Sequence, residues 1–218
     1  MKISTGTLDI LKNFATINTN ILVRQGNTLS TISTGKNIFA RAVISESFPK
    51  EFAIYDLNSL LSLLTLMEDT NIDFQDESLK VSRGTSVFQY YYADPNIIVG
   101  APDKIIEVDN FFQFDITKDD VDMILKAAAI TAAPMLCVVG KDGEVVVTVS
   151  DPSTSNSNNF RQVIGATDKE FDARLAIENF KVIPLSYSVT ISQKKFMFLE
   201  SSKGELKYWL ALERSSQI

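Results

Sequence analysis

One order of helix-like and strand-like segments runs through this chain twice, and that repetition restricts the fold more than any single motif. In "TLDILKNFATINTNILV", Leu8, Leu11, Phe14 and Ala15 share one face of a helix running from Ser4 to about Ile17. Thr5, Asp9, Lys12, Asn13 and Thr16 share the other face. A second helix follows "KEFAIY", with Asp56 as its N-cap and "LNSLLSLLTLM" as its body. A third, "TKDDVDMILKAAAIT", takes Thr117 as cap with Asp120 placed as in a capping box. The spacing predicts a fourth, short helix over "AIENFKVI", ended by Pro184. Leu8 and Leu11 recur as Val121 and Ile124 at one offset, and Leu60 recurs as Phe180 at a slightly longer one. The entries "KEFAIY" and "KEFDARL" match. Each is followed by strand, turn and strand: "NIDFQDESLKVSRGTSVFQYYY" in the first half, "YSVTISQKKFMFLESSKGELKYWLALE" in the second.

Between the helices, turn signals recur densely: "RQGN", "STGKN", "RGT", "DPN", "APD", "KDGE" and "SKGE". They bound short alternating runs such as "TLSTIS", "IFARAVI", "SVFQYYY", "EVVVTVS" and "KYWLALE", which read as half-buried strands. The fold class is therefore α+β, mostly antiparallel, with two similar domains of two helices each. The boundary falls in "DPNIIVGAPDKIIEV". This gives a first domain over 1–95, a connector over 96–109 and a second domain over 110–218. Chance likeness of two α+β halves is the alternative. Ile97 to Val99 form an apolar triplet inside the connector, which a linker rarely needs unless it covers or docks something.

Composition removes several function classes. The 218 residues include no histidine, which excludes histidine-assisted nucleophiles and histidine metal ligands. No phosphate-binding glycine loop, CxxC or HExxH pattern occurs, so no catalytic residue, metal or cofactor is expected. The acidic run "TKDDVD" sits at a helix start, where aspartate belongs for dipole reasons. The single cysteine, Cys137 in "PMLCVV", reads as a small core residue in a reduced, cytosolic protein. No run approaches the roughly 18 apolar residues of a membrane span, and "MKISTGTLDILKNF" lacks the apolar centre of a signal peptide. No membrane partner is expected.

The outward faces of the helices are small and weakly charged. The first offers Thr5, Asp9, Lys12 and Thr16; the second Asn58, Ser62 and Thr65. The third offers Lys118, Asp122, Lys126 and Ala129, and the fourth Lys181 near Glu178. A solvated face usually carries more paired Glu and Lys. Acidic residues gather elsewhere, at Glu46, Glu51, Glu68, Asp69, Asp73, Asp76, Glu77, Asp103, Glu107 and Asp109, in a chain of net charge −6.

Four stretches in register, "LKNFATIN", "FAIYDLNSLLSLLTLMED", "YYADPNIIVGAPDK" and "LKYWLALE", resemble the DNA polymerase sliding clamps of T-even-like bacteriophages, over essentially the whole chain. "AIYDLNSLLSLL" and the C-terminal strand also resemble proliferating cell nuclear antigen, the cellular clamp. The resemblance implies a non-catalytic processivity factor working in the cytoplasm of an infected bacterial host. Three chains would close a homotrimeric ring around duplex DNA, helices inside and sheets outside. Its partners would be the DNA itself, without sequence preference, the replicative DNA polymerase and a clamp-loader ATPase.

Under that resemblance Lys12, Lys118, Lys126 and Lys181 face DNA phosphates, which carry no sequence information directly; otherwise they are solvated lysines. Helix two carries no basic residue, so the basic lining would be thin. Strand edges around Phe88 and Tyr90, and around Phe160 and Val163, would pair between subunits. A pocket for partner peptides would use Ile32, Ile38, Ile97, Val99, Trp209, Ala211 and Leu212. Leu212 stands where the cellular clamp usually has proline, and Trp209 could instead fill the second-domain core. The readings set against a clamp are an enzyme built on carboxylates or lysines and a non-catalytic viral structural or scaffold protein of repeated β domains.

Overall fold

Alternating runs become strands here wherever a turn residue can close them. At "KDGE", Asp142 and Gly143 both take positive φ (53° and 84°), the two-residue turn whose twist suits a tight hairpin. The structure is a computed structural model describing residues 1–67, 70–103, 106–154 and 156–218. Glu68 and Asp69 of the acidic set, and residues 104 and 105 of the connector, lie outside the described residues. The chain parts into two compact units, Met1–Ile105 and Ile106–Ile218.

The first unit begins with α1 (Thr5–Ile17), capped by the Ser4 hydroxyl, which accepts from the Thr7 N–H at 3.3 Å. There follow β1 (Ile21–Val23), β2 (Gly26–Ile32), β3 (Ile38–Phe48), β4 (Phe52–Ile54) and α2 (Leu57–Leu66). Then come β5 (Asn71–Phe74), β6 (Ser78–Arg83), β7 (Ser86–Tyr91) and a single 3-10 turn, Pro95–Ile97. All pairings are antiparallel: β1 with β4, β2 with β3, and β5, β6, β7 in that order. The period of α1 buries Leu11, Phe14 and Ala15, and that of α2 buries Leu57, Leu60, Leu61 and Leu64. Phe48, Phe52 and Phe74 meet edge-on or tilted, at 5.6–5.9 Å between ring centres. Phe48 and Phe52 are buried and Phe74 half-buried; each fully buried side chain contributes about 1.5–3 kcal/mol.

The second unit holds β8 (Phe112–Ile116), α3 (Lys118–Thr131), β9 (Met135–Lys141), β10 (Glu144–Ser150), β11 (Phe160–Ala166) and β12 (Phe171–Ala176). It ends with β13 (Tyr187–Ser192), β14 (Phe196–Ser201) and β15 (Leu206–Ala211). One antiparallel sheet runs β11-β10-β9-β12, and another series runs β8-β13-β14-β15. The capping box at α3 is complete, with the Thr117 hydroxyl and the Asp120 carboxylate each holding the other's backbone N–H. Cys137 is buried in β9, and burial pushes its thiol up, away from the reactive thiolate.

The fourth helix is a correction. Over 177–183 the chain makes one 3-10 turn, Ile177–Asn179, and then continues without regular secondary structure, burying Phe180 and Val182. Two tyrosines decide this. The Ile183 N–H donates to the Tyr208 hydroxyl at 3.2 Å, and the Tyr187 hydroxyl donates to the Ile183 carbonyl at 2.6 Å. Both peptide groups that a helix would use at Ile183 are thus taken by buried phenols. Burial raises the pKa of both tyrosines and keeps them as neutral partners. Three α-helices therefore stand among the described residues: α1 and α2 in the first unit, α3 in the second.

Candidate functional site

The four lysines singled out from the sequence stand on different supports. Lys12 is exposed on α1 beside Thr5, Asp9 and Thr16, its Nζ 3.4 Å from Asp9 Oδ1. An exposed pair of this kind contributes under about 1 kcal/mol, so Lys12 can exchange Asp9 for a stronger anion. Lys118 and Lys126 are exposed on α3, with Ala129, while Asp122 is half-buried. Lys181 is half-buried on the irregular segment after the 3-10 turn, not on a helix. On α2, Asn58, Ser62 and Thr65 are exposed and uncharged.

What aims Lys12 is the anchoring of α1. The Glu46 carboxylate on β3 accepts from the Ser4 N–H, from the Thr7 hydroxyl at 2.5 Å and from the Ser45 hydroxyl at 2.9 Å. It closes the positive end of the helix, where backbone N–H groups lack partners. Burial pushes the Glu46 pKa up, and the hydrogen bonds from Thr7, Ser4 and Ser45 outweigh it, bringing the group from 4.5 down to about 2. A carboxylate with a depressed folded-state pKa stabilises above its unfolded pKa and ceases to do so as pH falls through the folded value. Glu46→Gln is therefore expected to cost about 1 kcal/mol near neutral pH. Denaturant unfolding as a function of pH checks this: the gap between wild type and variant should close as pH drops from 4.5 toward about 2. A pH-independent gap would contradict the assignment.

The residues expected to receive partner peptides divide by exposure. In the first unit Ile38 is buried in the core and Ile32 is half-buried at the end of β2. Ile97 and Val99 project into solvent, Ile97 being 63% exposed. In the second unit Trp209 is buried with its ring 4.9 Å from that of Phe198, Leu212 is buried, and Ala211 is half-buried.

The strands named for subunit contacts both lie at sheet edges. β7 is the outer strand of β5-β6-β7, and β11 the outer strand of β11-β10-β9-β12. Register places Phe88 and Tyr90 beside Val81 and Leu79 on the core face of their sheet, yet Phe88 is 47% exposed, and among the described residues no strand pairs beyond that edge. Val163 is similarly exposed, and Phe160 half-buried. The opposite edges are closed by the ends of the chain. The Met1 ammonium donates to the Ile72 carbonyl at 2.7 Å, and the Ile72 N–H donates to the Met1 carbonyl at 2.8 Å, which covers β5. Asp172 and Gln217 exchange two such bonds, 2.8 and 2.9 Å, which covers β12. Among the described residues, β7 and β11 have no strand on their outer sides.

Two exposed apolar residues near the ends of helices escaped the sequence reading. Leu66, on the last turn of α2, is 72% exposed and lines an open groove with Met67, Arg83, Ser86, Val87 and Phe88. Ile130, on the last turn of α3, is 83% exposed. In Leu66 the signal was hidden in a run of leucines that all read as core. Ile130 sits off the stripe of Val121, Ile124 and Ala127, and a helical wheel would have flagged it.

Comparison with known proteins accords with this geometry. Residues 4–100 match the family model described as DNA polymerase processivity factor. The sliding clamp of Vibrio phage KVP40 is 30% identical over 224 aligned residues, which cover 98% of this chain and 99% of that one. Among solved structures, the PCNA2–PCNA3 complex of Sulfolobus tokodaii matches with a TM-score of 0.71 at 10% identity, covering 95% of each chain. The A. fulgidus PCNA bound to the C-terminal region of FEN-1 matches with a TM-score of 0.69 at 14% identity, covering 96% of each. The structural matches carry the fold, and the phage relative, aligned along nearly the whole of both chains, carries the family: this protein belongs to the sliding clamps, the DNA polymerase processivity factors.

Proposed function

We propose that this clamp closes as a homotrimer around duplex DNA and tethers the replicative polymerase, with a clamp-loader ATPase opening and closing it in the cytoplasm of the infected host. It acts by binding, not by catalysis. The observation that carries the reading is the pair of unlike open edges, β7 and β11, each with exposed apolar residues on or beside it and each opposite an edge closed by a chain terminus. Unlike edges pair head to tail, and such a contact closes into a ring when the rotation permits. Leu66 and Phe88 of one copy would meet Ile130 and Val163 of the next. The lysines suit a sliding contact: a few exposed ammonium groups attract phosphates without fixing register. The polar, uncharged face of α2 adds no grip.

The test is polymerase synthesis on a long primed template with loader and ATP. Lys12→Glu combined with Lys126→Glu should fold normally and form the same oligomer. It should lower clamp-dependent product length by about tenfold at physiological salt, with a shallower salt dependence, because phosphate contacts are counterion-linked. Wild-type processivity in the double variant would remove these lysines from the DNA-facing set.

A further inference from the structure

The connector after β7 is not a slack linker. It is pinned at both ends, with Ile97 and Val99 exposed along it while Ile98 is half-buried. On the near side, the Ala93 N–H donates to the Ala53 carbonyl of β4 at 2.9 Å. Asp94 then caps the 3-10 turn through the Asn96 N–H at 2.9 Å. On the far side, two asparagines hold Val99 by both of its peptide groups. The Val99 N–H donates to Asn20 Oδ1 at 3.1 Å, and Asn18 Nδ2 donates to the Val99 carbonyl at 3.4 Å. The same Asn18 Nδ2 donates to the Ile32 carbonyl at 2.8 Å, and Asn18 Oδ1 accepts from the Asn20 N–H at 3.0 Å. Asn18 is buried and is also the C-cap of α1. One residue further on, Gly100 lies against Leu22: a Cβ there would come within 3.4 Å of the Leu22 side chain. Arg24 closes the series by donating to the Ala101 carbonyl at 3.0 Å.

These bonds have a cost that packing alone does not explain. Asn18 and Asn20 use their side-chain amides on backbone groups of a surface strap whose own side chains, Ile97 and Val99, remain in solvent. Asparagine in such a place fixes backbone geometry. A strap free to move would lose roughly 1–2 kcal/mol of backbone entropy per residue ordered on binding. A strap held in advance avoids that loss.

We infer that Asn18 and Asn20 are positioning residues for partner docking: by holding both peptide groups of Val99, and in Asn18 also that of Ile32, they present Ile97 and Val99 to an incoming hydrophobic peptide in a preset arrangement. The inference rests on the reading that the connector belongs to the docking surface.

Three variants test it, with two readouts: amide hydrogen exchange of residues 95–101, and affinity for a labelled peptide of the cognate polymerase's C-terminus. Asn20→Ala removes the acceptor for the Val99 N–H from a half-buried position. Val99 exchange should rise about tenfold or more, as expected when a local opening no longer breaks a bond. Peptide affinity should fall about fivefold, since the strap must now be ordered on binding. The thermal midpoint should stay near that of wild type. Asn20→Asp keeps an Oδ acceptor and should restore both exchange protection and affinity, which a merely structural role would not require. Unchanged Val99 protection in Asn20→Ala overturns the clamp. Lost protection with wild-type affinity overturns its role in docking, provided Ile97→Asp weakens binding. If Ile97→Asp leaves affinity unchanged, the docking surface itself is misassigned, and the exchange data still decide whether the asparagines hold the strap.

Discussion

A chain carrying Ile130→Glu is expected to fold as wild type does and to remain monomeric. The side chain is 83% exposed on the last turn of α3, so the fold alone should change by no more than about 0.5 kcal/mol. In a ring the same side chain would be buried at every subunit contact. Burying an isoleucine contributes about 2 kcal/mol, and a carboxylate in its place must be desolvated without a partner. A combined change of about 3 kcal/mol per contact raises the dissociation constant more than about a hundredfold. Leu66→Glu should act alike from the other side, since Leu66 stands in the groove beside β7. Light scattering at a concentration where the proposed wild-type trimer forms, together with a thermal melt, checks both. Trimers of wild-type stability in both variants would sink the edge-to-edge arrangement. Loss of the melting transition would show instead that the residues serve the fold.

Ile97→Asp should weaken binding of the polymerase peptide about a hundredfold while leaving the oligomer intact. Ile97 is held out by the turn that Asp94 caps, and its own N–H is satisfied by the Asp94 carbonyl at 3.1 Å. Aspartate there removes an apolar anchor and sets a charge against an apolar ligand. Losses of 2 kcal/mol or more are usual for such central residues, and with the added charge the affinity should drop by about a hundredfold. Fluorescence anisotropy of the labelled peptide reads this directly. An unchanged dissociation constant would move the docking site away from the connector.

How much of this was legible beforehand differs from element to element. Helices α1, α2 and α3 are local objects: a capping residue, an apolar stripe and a turn suffice; Asp56 and Thr117 cap α2 and α3 as the sequence implies, and Ser4, read as the first residue of α1, turns out to be its cap. The hairpins are local too, because "KDGE" and "RGT" impose their turns. The segment "AIENFKVI" looked equally helical. It failed because Tyr187 and Tyr208, both later in the sequence, take the peptide groups of Ile183. No periodicity within eight residues contains that information.

The sites follow the same division. Residue types and period, read from the sequence, determined that Lys12, Lys118 and Lys126 stand on exposed helix faces and that Ile97 and Val99 escape burial in their connector. Only the tertiary structure decided which sheet edges stay open, because closure of β5 and β12 depends on where Met1 and Gln217 come to lie. Only it joined Asn18, Asn20 and Arg24 to a strap lying far along the chain, through bonds spanning 77 to 81 residues. Local propensity acts through neighbours along the backbone, whereas an open edge or a pinned strap is a relation between distant segments, and that relation exists only after the chain has packed.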